Sequence, residues 1–192
     1  ISITQLYMDV LAPAQIAIGE MWHAGKINIA EEHLATSITS GAMDRIRHEM
    51  KPRVDLGVRA VIVVLDDERH TIGMRMLADL LVMDGWLVDV LIDPTPVSDL
   101  IEFIRARRID ILALSFTMTD TQSRTRIVTD ALREQGLTPK VLLGGRALGI
   151  GNTDLMALGA NGFAKNAAEG TKEARRLAGL QEEKLDLESH LS

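Results

Sequence analysis

The sequence predicts an α/β protein in which a doubly wound, parallel, five-stranded sheet follows a helical bundle. Three observations predict it. In the first 57 residues apolar side chains recur at helical spacing and no strand pattern occurs. From Arg59 onward come short runs rich in β-branched and aliphatic residues, the mark of strands buried on both faces. These runs alternate strictly with helical stretches, and such alternation builds a parallel sheet.

The opening segment "SITQLYMDVLAPAQIAIGEMWH" places Ile3, Leu6, Val10, Leu11, Ile16, Met21 and Trp22 at roughly helical spacing. Pro13 is expected to kink or break that helix, because proline lacks an N–H and crowds the preceding turn. "AGK" makes a turn. Asn28, with Glu31 three residues on, is a capping pattern for a second helix that runs to about Met50, before Pro52. About two helices precede the sheet, so a full four-helix bundle would need more sequence upstream. The chain begins at Ile1 and is read as a fragment or as a chain whose start was processed.

The five predicted strands are "RAVIVVL" (59–65), "WLVDVLI" (86–92), "IDILALSF" (109–116), "KVLLGG" (140–145) and the short "ANGFAK" (160–165). The helices between them are "MRMLADLLVMDG", "PVSDLIEFIRARR", "TQSRTRIVTDALREQG" and the short "NTDLMALG"; "AAEGTKEARRLAGL" closes the series. The tail keeps Leu177, Leu180, Leu187 and Leu191 at a/d-like heptad spacing, with Lys184 at the remaining position. It reads either as a surface helix end or as a coiled-coil linker. The expected domains are a helical bundle (1–57), a sheet domain (58–178) and a charged tail (179–192).

Composition narrows the function. Of 192 residues, 46% are hydrophobic and 25% charged, ordinary for a globular protein. The net charge of −6 argues against nucleic-acid binding by this segment. The absence of cysteine excludes disulfides, thiolate metal sites and a cysteine nucleophile, and fits a cytoplasmic location. No apolar run approaches the ~20 residues of a membrane span, so no membrane partner is expected.

Ligands of doubly wound sheets bind at the carboxyl ends of the strands. There the sequence places Glu68-Arg69-His70 followed by Ile72-Gly73, then Ser115-Phe116-Thr117 with Thr119, then Gly144-Gly145. A lone histidine in such a loop is usually a helix cap or a solvated side chain. Here Gly73 lets a bulky planar ligand approach the helix start, and the paired glycines leave a slot beside the sheet. Together these residues resemble the D-x-H-x-x-G … S-x-L … G-G signature of cobalamin-binding Rossmann-like (flavodoxin-like) domains, over essentially all of residues 58–178. The resemblance implies that His70 binds cobalt from below. Arg69, Ile72, Gly73, Ser115, Thr117, Thr119, Gly144, Gly145 and Gly162 would line the cofactor site, with "GANGFAK" closing the pocket. Glu68 stands where the family has Asp. One more methylene alters how this carboxylate would orient the ligating imidazole.

A second motif lies in the helical part. Trp22, nine intervening residues, then Glu32-His33 resembles the W-x(9)-E-H motif of CarH-type cobalamin-dependent photoreceptors, and His23 also matches. Taken alone, Trp22 reads as an amphipathic core anchor, and Glu32 as a first-turn acid suited to the helix dipole. The resemblance instead implies bound adenosylcobalamin, with Trp22 packed on the adenosyl group and Glu32 and His33 holding it. Light would break the cobalt–carbon bond, and His23 would enter as the new upper cobalt ligand. Light-dependent self-association, contact with an output domain or regulatory partner, and a role in signal transduction and transcription regulation would follow. The alternative from the same residues is a corrinoid carrier protein of a methyltransferase system, which shares His70 but does not need the helical motif. A third reading, a receiver domain, has Asp66, Asp67 and Lys165 but puts Ser115 where the phosphoacceptor should stand.

Overall fold

The computed structural model describes residues 1–64, 71–115, 122–145 and 156–181. The chain forms two compact units, residues 1–52 and a second beginning at Arg53. The second unit takes in five residues, 53–57, that the sequence assigned to the bundle. Backbone bonds from Arg53 to Met83 and from Leu56 to Gly85 tie them to the sheet unit.

In the first unit, α1 (Ile3–Gln5) is capped by Ser2, whose hydroxyl accepts from the Gln5 N–H. A π-helical turn, Leu6–Leu11, leads without a break into α2 (Ala12–His23). The expected break at Pro13 is thus a widened turn, in which the Ala12 N–H reaches back to the Tyr7 carbonyl. A wide turn accommodates the missing N–H and the ring of Pro13 while the helix continues. The next helix, α3 (Ile29–Glu49), starts on a full capping box between Asn28 and Glu31.

In the second unit the elements are β1 (Arg59–Val64), α4 (Ile72–Met83), β2 (Leu87–Leu91), α5 (Val97–Arg107), β3 (Ile111–Ser115), α6 (Gln122–Glu134), β4 (Lys140–Gly144), a 3-10 turn (Met156–Leu158), β5 (Gly162–Ala164) and α7 (Ala167–Leu177). All strand pairs are parallel, in the order β2-β1-β3-β4-β5. Strand residues alternate between faces. Val61, Val63, Leu112, Leu114, Val141 and Leu143 pack with α5 and α6. Ala60, Ile62, Val64, Ile111, Ala113 and Leu142 pack with α4 and α7. Both faces are covered, which is why the strands read as unbroken apolar runs. Among the described residues, no helix is long and apolar enough to cross a membrane.

Candidate corrinoid site

The chain winds from β1 outward to β2, then returns to the other side of β1 for β3. The sheet therefore reverses direction between β1 and β3, and a ligand crevice opens outside the carboxyl ends at that point. Strand register puts Val64, Ser115, Gly144 and Ala164 in one row along this edge. Ser115 is half-buried, and its hydroxyl has no hydrogen-bond partner among the described residues. Beside it, Gly144 has room for a Cβ only at ordinary contact distance, 3.8 Å from the Ala164 carbonyl oxygen. Gly145 adopts φ 119°, a backbone conformation that side chains rarely take. Ile72 and Gly73 form the first turn of α4, and the space where a Gly73 Cβ would lie is open. A hydroxyl without a partner among the described residues, flanked by glycine backbone, suits the polar, extended tail of a large cofactor.

Gly162 does not join this row. It begins β5, paired with Leu142, and a Cβ there would lie 2.2 Å from the Glu173 carboxylate. Its missing side chain accommodates Glu173, which the Arg176 guanidinium grips. Ala164 is the β5 residue at the edge, a position that strand register alone reveals. Glu68, Arg69, His70, Thr117 and Thr119 lie outside the described residues, as do residues 182–192 of the tail.

In the helical unit, the Trp22 and His23 rings lie 4.8 Å apart. Trp22 is 38% exposed, too open for a core anchor. Glu32 accepts from the Thr36 hydroxyl at 2.9 Å and lies 3.7 Å from the His33 ring nitrogen Nε2. Gln15 Oε1 also stands 3.0 Å from the Thr36 hydroxyl, an alternative acceptor for its single proton, and Gln15 donates to Thr39, so a polar ladder joins α2 to α3. Sequence reading missed this ladder. Its signal was Gln15, Thr36 and Thr39 on the facing sides of two helices.

A cavity of about 470 Å³ lies at the opposite, amino-terminal edge of the sheet, lined by Val58, Arg105, Arg108, Ile109, Asp110 and Lys140 among others. Arg105 and Arg108 sit at the carbonyl end of α5, where cations offset the helix dipole. Among the described residues no cluster of candidate metal ligands occurs.

A family model described as a B12 binding domain matches residues 58–178, and a second of the same description matches residues 1–47. Dimethylamine corrinoid protein 2 of Methanosarcina acetivorans is 25% identical over 183 residues, covering 88% of this chain and 84% of its own. The monomethylamine corrinoid protein of Methanosarcina barkeri shares the fold with TM-score 0.78 at 21% identity, over 92% of this chain and 84% of its own. The methanol:cobalamin methyltransferase complex MtaBC of the same organism shares it with TM-score 0.57 at 21% identity, over 93% and 69%.

These findings overturn the light-sensor reading. The CarH transcriptional repressor of Myxococcus xanthus is 29% identical over only 109 residues, 56% of this chain and 35% of its own. The corrinoid proteins match across both units, so the W-x(9)-E-H spacing does not mark a photoreceptor. With that reading go transcription regulation, signal transduction, the output domain and light-dependent self-association. His23 is left without the light-driven step that would bring it to cobalt. Two family matches, one on each unit, support a cobalamin-type corrinoid as cofactor, and the chain belongs to the B12 binding domain family.

Proposed function

We propose that the protein is the corrinoid carrier of a methyltransferase system. One observation carries this reading: the similarity to a dimethylamine corrinoid protein runs through 88% of the chain and includes the helical unit. When bound, the corrinoid supplies a cobalt atom able to accept and release a methyl group. His70 would hold that cobalt, and Glu68 would accept from the other ring N–H, setting tautomer and basicity. Ser115, Thr117 and Thr119 would offer hydroxyls to the polar tail of the cofactor. Gly73, Gly144 and Gly145 keep side chains out of its way. The group the protein would carry is a methyl rather than the adenosyl group expected from the sequence. The chain performs no catalysis of its own, because activation of the methyl donor and acceptor belongs to partner methyltransferases.

The test is reconstitution with hydroxocobalamin. The wild-type chain is expected to bind it stoichiometrically with a histidine-ligated absorption spectrum. His70→Ala should lose that signature and bind on the order of 10- to 100-fold more weakly, as for lost ligand-shell groups. The methyl-loaded protein should pass its methyl group to an acceptor when a cognate methyltransferase is added. Failure to bind cobalamin, or an unchanged spectrum in His70→Ala, would sink the reading.

A further inference from the structure

At the amino-terminal edge of the sheet, the cavity of about 470 Å³ is lined from four segments of the chain. Its floor is apolar. Buried Ile104 and Ile109, with half-buried Leu137, come from the core layer on one face of the sheet, and Leu177 comes from the layer on the other. Its exposed rim is cationic, with Arg105 and Arg108 from the end of α5 and Lys140 from the start of β4. Asp110 is the one acid among the lining residues, and its Oδ2 accepts from the Arg59 N–H at 2.8 Å. Three cations against one carboxylate give the lining a charge of +2, in a chain whose net charge is −6.

The helix dipole accounts for cations at the end of α5. It does not account for Lys140, which lies on another element, nor for the backbone of Arg108. Arg108 caps α5 at φ 52° and ψ 55°, the single non-glycine residue with positive φ among the described residues. Glycine is the residue that such a cap favours, and an arginine there is strained. Strained backbone of this kind gathers at ligand-binding positions. The neighbouring arginines show a contrast. Arg107 lies 3.7 Å from the Asp89 carboxylate and over the Phe103 ring, and Arg105 gives Nη2 to Gln135 at 2.8 Å. The side chains of Arg108, Lys140 and Thr138, all lining the cavity, have no hydrogen-bond or ion-pair partner among the described residues.

We propose that this cavity binds a small organic phosphate monoester, with its phosphate on Arg108, Lys140 and Arg105 and its apolar body against Ile104, Ile109 and Leu137. A concave site of this volume suits a small molecule. A phosphate monoester carries close to two negative charges at neutral pH, which matches the lining. Guanidinium forks fit its oxygens, and the Thr138 hydroxyl supplies a neutral donor. Asp110 and Ser115 are five residues apart along β3, about 16 Å at the rise of a strand. An occupant here therefore leaves the corrinoid edge open, and the site stands whether or not the carrier reading does.

The test is amide NMR on the full chain, titrated with phenyl phosphate, inorganic phosphate or phenol. Phenyl phosphate should shift the Arg108, Asp110 and Lys140 amides saturably and leave the Ser115 and Gly144 amides unchanged. Inorganic phosphate lacks the apolar body and phenol lacks the charge, so each should bind at least about tenfold more weakly. Arg108→Gly and Lys140→Gln should each weaken phenyl phosphate at least about tenfold, the loss of one charge-assisted bond. Arg108→Gly should do so without lowering the thermal midpoint, because glycine relieves the left-handed cap. Lys140→Gln, on another element, decides the matter if Arg108→Gly disturbs the end of α5. No saturable shift at this edge, or undiminished phenyl phosphate binding in both variants, overturns the proposal. Inorganic phosphate binding as tightly as phenyl phosphate overturns it too, because the apolar floor would then hold nothing.

Discussion

The two units are built on opposite terms. In the sheet unit, Val61, Leu112 and Leu143 are fully buried, and helices close both faces. In the helical unit, Ile3, Tyr7, Thr39, Met43 and Ile46 are buried, while Ile16, Met21, Trp22, Ile29, Leu34 and Ile38 stay exposed. The seam between α2 and α3 is held by the Gln15–Thr36–Thr39 ladder as well as by apolar contact. The difference teaches that the sheet unit is covered on both faces, whereas the helical unit joins a small apolar core to caps and polar bonds and leaves much apolar surface exposed.

The largest expected effect breaks the sheet side. Leu112→Ala leaves a cavity between β3 and its covering helices and should cost about 3 kcal/mol, read as a lower denaturation midpoint. The same change in the helical unit sharpens the contrast. Leu34→Ala, at a 62% exposed position, should stay within about 0.5 kcal/mol. If Leu34→Ala matched Leu112→Ala, the comparison would be wrong.

Asn28→Ala is the helical unit's counterpart of a core deletion. It removes the acceptor for the Ala30 and Glu31 amides and should cost about 1 kcal/mol. Circular dichroism should show fraying at the start of α3, with the sheet signal unaffected.

The smallest effect depends on pH. The Arg176 guanidinium bound to Glu173 lowers that carboxyl below its usual value. A depressed folded-state value contributes stability that is present above the unfolded value and lost as pH falls through the folded one. Wild type should therefore exceed Glu173→Gln slightly at pH 6, with the gap closing in the acid range below the ordinary glutamate value. Solvent around this exposed pair keeps the difference small. A gap that widened on acidification would refute the assignment.

Much of this was legible because burial on two faces leaves a direct mark. β1, β3 and β4 fall inside their predicted runs, since a strand covered on both sides must be apolar throughout. Ser115 and Gly144 could be placed at strand ends for the same reason. At Gly162, read from the sequence as pocket lining, the described neighbour is the Glu173 carboxylate, because a glycine tells of a close approach without naming what approaches. The helical motif misled the functional reading. Two helices fit many partners, and the spacing of Trp22 and Glu32 does not say which ligand or protein they face.

Local pattern by itself determined the alternation of strands and helices, the capping of α3 at Asn28 and the glycine-rich strand ends, because each depends on neighbours a few residues apart. Only the tertiary structure decided the order β2-β1-β3-β4-β5, the row Val64–Ser115–Gly144–Ala164 and the pairing of Asp84 with Arg175. Those depend on which distant segments share a buried space, and periodicity carries no record of that choice.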